Sequence, residues 1–496
     1  LIKFDILGLN TLNDIGNCIR LIKDRHGVDI DLYNIPEDDD AVYKDFHAGR
    51  TETVFQFNGA IPTKVCKEIK PNSIMDLAAI TAACRPGTLY AEIENPDGTK
   101  STLIDLWKKR KAGKMPVEYL HPSLEPILSS TSGIFLFQEQ INRMFVECCG
   151  YSPEMADEMR EIIGKKKKDK MDEIIPDVKD RLRKNGWSKN QIEAIISLCV
   201  AASNYVFNVS HSVTYSSTGY ACMYLKHYYP LEWWTAILQN STHKDLEANA
   251  KYFKKYLQTP NVNVSDVDFY IIDDKKKKIV YPLSMIKGVK NAASEIVMHK
   301  PFSSMEDFYN RVNKTKVNKK VFLAMIWAGA FDDMPEAGSG KIWEMRNRLY
   351  KFYHTLRKEK IEPEELSKGE VLKLESLSLC IGEPDVYSLY KQRYPCSSIV
   401  DVSRVHTFPN EATVSTIGII SGKREIVTKR GDPMCFVDLS NSENKISVTF
   451  FPKLFAEDKD KIIEGQILRV SGIVSRYNDR VSVVANKTNY YDIKNL

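Results

Sequence analysis

Gln191-Ile-Glu-Ala-Ile-Ile-Ser-Leu-Cys-Val-Ala-Ala-Ser-Asn204 decides how the first half of this chain is read. Its apolar residues recur at i, i+3, i+4 and i+7, the spacing of a helix with one buried face. Helical patterning runs from about 10 to 260. Between 262 and 282 it gives way to Asp268–Ile272 and Lys278–Tyr281 around an Asp-Asp-Lys turn, which predicts a hairpin at a domain join. Residues 336–378, rich in Lys and Glu, predict a helical connector with a solvated face. From 412 onward, alternating β-branched residues predict strands at Thr413–Ile420, Met434–Leu439, Lys445–Phe451, Ile467–Val474 and Val481–Ala485. Strands this short and this closely spaced suit a small barrel. The predicted fold class is multidomain and mainly α, with a C-terminal β-barrel.

A chain of 496 residues is long enough for about three domains, each with its own core. Apolar residues at 43 % and charged residues at 27 % are ordinary globular values, which excludes disordered and collagen-like classes. Ten cysteines are scattered without a Cys-x-x-Cys pair, so neither a disulfide scaffold nor a structural zinc site is expected, and a reducing cytoplasm fits. No apolar run reaches the ~18 residues of a membrane helix, and the start lacks signal-peptide architecture. A first residue of Leu1 rather than Met predicts a chain that is processed, spliced or incomplete.

Three stretches carry candidate chemistry. In Ile2-Lys3-Phe4-Asp5, Lys3 and Asp5 share one face of a strand-like run and offer one cation and one carboxylate. Taken alone, Asp5 also reads as a solvated strand-end residue. Arg160 through Lys170 holds six positive and two negative side chains, including Lys165, Lys166 and Lys167. Such density suits a polyphosphate or a nucleic-acid backbone, and equally a solvated helix end. Asn208, Ser210, His211, Ser212 and Tyr215 place amide, hydroxyl, imidazole and phenol groups within eight residues. They read as a phosphate or sugar grip, or as a helix cap before an aromatic helix. No nucleophile context surrounds these serines, so a Ser-His-Asp triad is not indicated.

Two further stretches point to nucleic acid. Ile286-Lys287-Gly288-Val289-Lys290 has the form of a helix-hairpin-helix turn, whose glycine lets backbone amides approach a phosphate, although such turns also use Gly for structure alone. Thr428-Lys429-Arg430-Gly431 falls at a predicted hairpin tip of the barrel, near Phe436, Phe450 and Tyr477. Basic tips beside exposed rings hold single strands, whereas rings facing inward merely fill a barrel. Phe450 and Phe451 are adjacent, so at most one can point inward.

Taken in order, these motifs resemble the C-family of bacterial replicative DNA polymerases, the DnaE-like α subunits of DNA polymerase III, from the end of the palm to the oligonucleotide-binding (OB) barrel. The resemblance rests on Ile2–Leu9, Val54-Phe-Gln56, Arg85-Pro-Gly87, Gly133-Ile-Phe-Leu-Phe-Gln-Glu-Gln140 and Gly164-Lys-Lys-Lys167 in the first part. It continues through Phe207–Ser212, Leu225-Lys226 with Tyr229-Pro230, Ile286–Val289, Ala328–Asp332 and Thr428–Gly431.

The resemblance implies domains at 1–15 (end of palm), 16–245 (fingers), 246–405 (helix-hairpin-helix and connector) and 406–496 (OB-fold). It implies a DNA-directed DNA polymerase that uses two Mg²⁺ ions, with Asp5 as one metal ligand and Lys3 beside the incoming triphosphate. Arg160, Lys165, Lys166, Lys167, Asn208, Ser210, His211 and Ser212 would line the nucleotide site. Lys287, Gly288, Lys290, Lys429 and Arg430 would meet DNA. Implied partners are primer-template DNA, dNTPs, a segment carrying the palm Asp-x-Asp pair and a sliding clamp, with no membrane. The implied location is the cytoplasm of a bacterial or phage-infected cell. In this family the palm's Asp-x-Asp pair lies upstream of the position of Leu1, so the chain alone is expected to be inactive, as a divergent, phage-encoded or split polymerase would be. Glu161 stands where relatives carry a second Arg and Val209 where they carry Lys, both of which remove positive charge from the nucleotide grip. No clamp-binding peptide is evident in 333–410. The alternative reading is a non-catalytic DNA-binding module derived from such a polymerase.

Overall fold

The computed structural model describes residues 9–89, 92–94, 100–165, 168–242, 252–360, 363–379, 384–428, 431–441, 444–477 and 480–496. Lys3, Asp5, Lys166, Lys167, Lys429 and Arg430 therefore lie outside the described residues. The chain divides into two compact units, Leu1–Ala236 and Ile237–Leu496. The division falls nine residues before the fingers boundary that the resemblance implies.

Among its described residues the first unit is helical apart from one small antiparallel hairpin, β1 (Glu92–Glu94) with β2 (Lys100–Thr102). Its helices are α1 (Asn10–His26), α2 (Asp40–Ala48), α3 (Ala60–Ile69), α4 (Ile74–Ala83), the short α5 (Pro86–Leu89), α6 (Leu103–Lys111) and α7 (Glu125–Leu128). They continue with α8 (Gln138–Arg143), α9 (Pro153–Gly164), α10 (Lys168–Lys184), α11 (Lys189–Ala202), α12 (Val209–Tyr228) and α13 (Pro230–Gln239), the last spanning the division. The periodic stretch that opened the reading is α11. Ser188 caps it in a reciprocal box with Gln191, and Ile192, Ile195 and Cys199 form its buried face. α12 runs through the middle of the unit against α4 and α2. Gly219 lets α12 also lie close against the 49–59 segment, because a Cβ there would lie 2.7 Å from the Phe55 carbonyl oxygen and from the Phe57 ring. Trp233 and Trp234 are fully buried beside it. At ~25 cal/mol per Å² and ~150–250 Å² each, such rings are the largest single apolar contributions available.

In the second unit β4 (Ile271–Asp273) pairs antiparallel with β5 (Lys278–Val280), the hairpin expected at 262–282, and β3 (Leu257–Gln258) adds to β5 in parallel. The region after it is less solvated than its composition predicts. Helices Ile342–Leu356 and Lys368–Leu379 bury Arg346, Asn347, Tyr353 and Val371. Arg346, with no exposed surface, pairs with Asp332 at 3.0 Å and Glu375 at 3.3 Å. The connector is helical and keeps a solvated face, with Arg348, Arg357 and Lys358 exposed, while on its inner face mutual pairing lets charged residues sit inside; removing one partner of such a cluster costs ~3–5 kcal/mol.

The barrel is closed in the order β10-β8-β7-β6-β9, where β6 is Thr413–Val427, β7 Pro433–Asn441, β8 Asn444–Phe450, β9 Ile467–Tyr477 and β10 Arg480–Tyr491. A parallel pairing of β10 with β8 completes it. Phe450 fills the interior and Phe451 is exposed, as adjacency requires. Outside the barrel, Ile417, Ile419 and Ile467 are covered by Val386, Tyr390 and Ile399, so residues before 406 seal one barrel face.

Candidate nucleotide and nucleic-acid surfaces

The first surface forms where the start of α12 meets the start of α8. Asn208 caps α12, its Oδ1 accepting from the His211 N–H at 2.8 Å. From α8, the Glu139 carboxylate accepts from Asn208 Nδ2 at 2.8 Å and from the Val209 N–H at 2.9 Å. A one-residue bridge between Phe137 and Phe207 locks the two segments together. Buried Gln140 braces this arrangement, its Oε1 accepting from the Leu136 and Phe137 amides and its Nε2 donating to Thr131.

An exposed stripe lies along this junction. The Arg85 guanidinium sits 4.0 Å from the Phe207 ring centre, a cation–π distance. Phe207 meets His211 edge-on at 5.2 Å, His211 lies 4.1 Å from Tyr215, and Tyr215 lies 5.1 Å from Phe55. Asn208, Ser210 and His211 are exposed, whereas Ser212 is fully buried with an unpartnered hydroxyl and does not share their face. Sequence reasoning quoted Arg85 without giving it a role. The signal is Pro86: proline favours the first helical position, which leaves Arg85 outside the helix with its backbone restricted toward the extended region.

The basic run is arranged differently. Arg160 donates to Asp157 through Nε at 3.1 Å and Nη2 at 2.7 Å, and Lys165 pairs with Glu161. Arg160, then Asn142, hold the Asp157 carboxyl below its ordinary range. The contact from Asn142 Nδ2, at 3.2 Å, also ties α9 to α8. Thus α8 touches both clusters, Asp157 with Arg160 on one side and Asn208 with His211 on the other. Among the described residues no group of three or more His, Cys, Asp or Glu could hold a metal ion, and Asp5 lies outside them.

In the second unit Gly288 has φ +86°, a conformation that favours glycine, and Lys287, Gly288 and Lys290 are exposed. A single 3₁₀ turn, Leu283–Met285, precedes this bend, and helix Lys290–His299 follows it. The Lys287 amide is engaged by the Ser378 carbonyl at 2.9 Å, so it is not among the amides free to meet a phosphate. On the barrel, Thr428 and Gly431 flank the β6–β7 tip, Tyr477 is 76 % exposed, and Phe436 is half-buried with Arg424 5.2 Å from its ring.

Sequence models of three known families match this chain: the bacterial DNA polymerase III α-subunit finger domain over residues 11–186, a helix-hairpin-helix motif over 256–339, and an OB-fold nucleic acid binding domain over 414–489. DNA polymerase III subunit α of Aquifex aeolicus is 33 % identical over 489 residues, covering 96 % of this chain and 41 % of the relative. The Mycobacterium leprae protein of the same name is 27 % identical over 535 residues, covering 100 % of this chain and 44 % of the relative. The chain belongs to the bacterial DNA polymerase III α-subunit family. It spans about two fifths of the length of these relatives. The finger-domain match includes Arg85, Glu139, Arg160 and Lys165 and stops before Asn208–Tyr215, which Glu139, the Phe137–Phe207 bridge and Arg85 tie to the matched region. No helix among the described residues is long and apolar enough to cross a membrane.

Proposed function

We propose that this chain supplies the fingers and the DNA-gripping parts of a replicative DNA polymerase, which adds deoxynucleotides to a primer 3′ end under template direction. The incoming triphosphate would lie between Arg85 and the exposed first turn of α12, with Arg160 and the Lys165–Lys167 run contributing further positive charge. Lys287, Gly288 and Lys290 would grip duplex product. Lys429 and Arg430, with Phe436 and Tyr477, would hold single-stranded template. A sliding clamp would be a further partner, and the cytoplasm the place of action.

The supporting observation is the junction held by Glu139. It presents a guanidinium with no carboxylate partner among the described residues, partly exposed rings and a helix N-terminus on one surface. The dipole of α12 favours negative charge at its start, although its Val209 and His211 amides are already held by Glu139 and Asn208, rings offer stacking to a base, and Arg85 adds a fixed cation. Phosphoryl transfer asks the protein mainly for positioning and charge stabilisation. Asp5 is the proposed carboxylate for Mg²⁺, together with an Asp-x-Asp pair outside these 496 residues. Among the described residues no group of three or more His, Cys, Asp or Glu could hold the ions by itself.

The test is primer extension by the polymerase assembled with the Asp-x-Asp segment. Asp5→Asn should abolish incorporation while leaving primer-template affinity within about twofold. A kcat within about tenfold of wild type, worth ~1.4 kcal/mol of barrier, would remove Asp5 from the metal role. DNA binding without extension by the wild-type assembly would favour the non-catalytic module instead.

A further inference from the structure

Residues 340–413 fall between the helix-hairpin-helix match, which ends at 339, and the OB-fold match, which begins at 414. Within them Trp343, in the first turn of helix Ile342–Leu356, is met by two cations. The Lys341 ammonium lies 5.0 Å from its ring centre, and that of Lys368, at the start of helix Lys368–Leu379, lies 4.9 Å from it. Neither ammonium is in an ion pair with a carboxylate among the described residues, and Lys368 donates to the Gln392 side-chain oxygen. The neighbouring acids are engaged elsewhere. Glu344 Oε2 accepts from the Lys341 backbone N–H at 3.1 Å and lies with the Arg348 guanidinium against Gly340, where an added Cβ would be 2.9 Å from the one and 3.5 Å from the other. Glu370 accepts from the Ser367 N–H at 2.9 Å and faces Lys494 at 4.0 Å. Of the six tryptophans in the chain, Trp107, Trp187, Trp233, Trp234 and Trp327 are buried, whereas Trp343 is partly exposed.

Two like charges beside one ring repel each other, so an anion there is favoured. A partly exposed ring set among cations holds a single strand, because a base stacks on the ring while the flanking phosphates meet the cations. An exposed ammonium gains less from a ring face than a stacked base does, so a base can displace a lysine, which is then free to reach a phosphate. In a duplex the bases are already stacked on one another. A purely acidic peptide answers the charges but not the ring.

We propose that Trp343, with Lys341 and Lys368, is a contact point for single-stranded DNA, additional to the barrel tip and the helix-hairpin-helix turn: one base stacks on the indole and its neighbouring phosphates meet the two ammonium groups. The full 496-residue chain is titrated with a short oligothymidylate. Tryptophan emission reports Trp343, and the anisotropy of a labelled copy reports binding anywhere on the chain, so failure here and failure of the barrel's proposed role are told apart. Emission should fall to a plateau. Trp343→Phe, which keeps a ring, should abolish that fall while total affinity stays within about threefold, which also shows the variant to be folded. Lys341→Ala with Lys368→Ala should flatten the slope of log K against log salt, read from emission, by about 1.4, the value for two phosphates on a single strand. Constant emission while anisotropy shows the oligonucleotide bound, a fall that survives Trp343→Phe, an unchanged salt slope, or no binding by either probe would each overturn the proposal. An equal fall with the blunt dT·dA duplex would overturn the single-strand assignment, and an equal fall with oligoglutamate would overturn it in favour of an acidic peptide.

Discussion

Arg160 and Arg85 lie in the same unit, and their surroundings differ. Arg160 belongs to the densest run of positive charge in the chain, yet Asp157 three residues earlier takes its guanidinium, and Glu161 takes Lys165 in the same way. Arg85 stands outside any such run, over a phenylalanine ring, with no carboxylate partner among the described residues. The positive charge a surface offers to a ligand is therefore set by where acids fall at i−3 and i−4, not by how many lysines adjoin. Exposed pairs of this kind are worth only ~0.3–0.5 kcal/mol, so a triphosphate can displace them at small cost. The pairing weakens the run as a nucleotide grip without removing it, whereas Arg85 needs no partner displaced.

That contrast sets the order of expected effects on incorporation by the assembled polymerase. Arg85→Ala should lower kcat/KM for dNTP about a hundredfold, ~2.7 kcal/mol, with primer-template affinity held within about twofold; a loss below about threefold would break the contrast. Replacing Lys165, Lys166 and Lys167 together by Ala should raise the nucleotide KM by about five- to tenfold, because part of that charge is already matched. Should nucleotide response stay constant while DNA affinity drops, the run belongs to the DNA backbone. The smallest effect has the opposite sign: Glu161→Gln releases Lys165 and should lower the nucleotide KM about twofold, the equivalent of one exposed pair. A steady-state titration that finds KM raised instead would mean that Glu161 organises the site rather than masking it.

The barrel was the most legible part of the sequence, since alternation reports burial directly. Strand β6 nevertheless runs seven residues beyond the expected Ile420, because Lys423–Val427 are exposed on both faces and alternation carries no signal there. The buried cluster around Arg346 is invisible in the sequence for the complementary reason: composition registers charge and cannot register that Asp332 and Glu375, distant along the chain, neutralise it inside. At the candidate site, the donors of Asn208–His211 were visible as a cluster. Their division into a cap, an exposed face and a buried Ser212 depends on helix phase, and the clamp by Glu139 bridges 69 residues that no local pattern connects. The Glu161–Lys165 spacing was there to be read, and counting charges without their helical neighbours passed over it.

The central claim is that Arg85 and the ring stripe beside it meet the incoming nucleotide. It is tested most directly by single-turnover incorporation with Arg85→Lys, which keeps the charge and loses the planar group stacked on Phe207. Titrating dNTP gives the nucleotide Kd, and titrating primer-template gives the DNA Kd in the same assembly. The account predicts a nucleotide Kd raised by about tenfold with the DNA Kd within about twofold of wild type. A raised DNA Kd with an unchanged nucleotide Kd would contradict it.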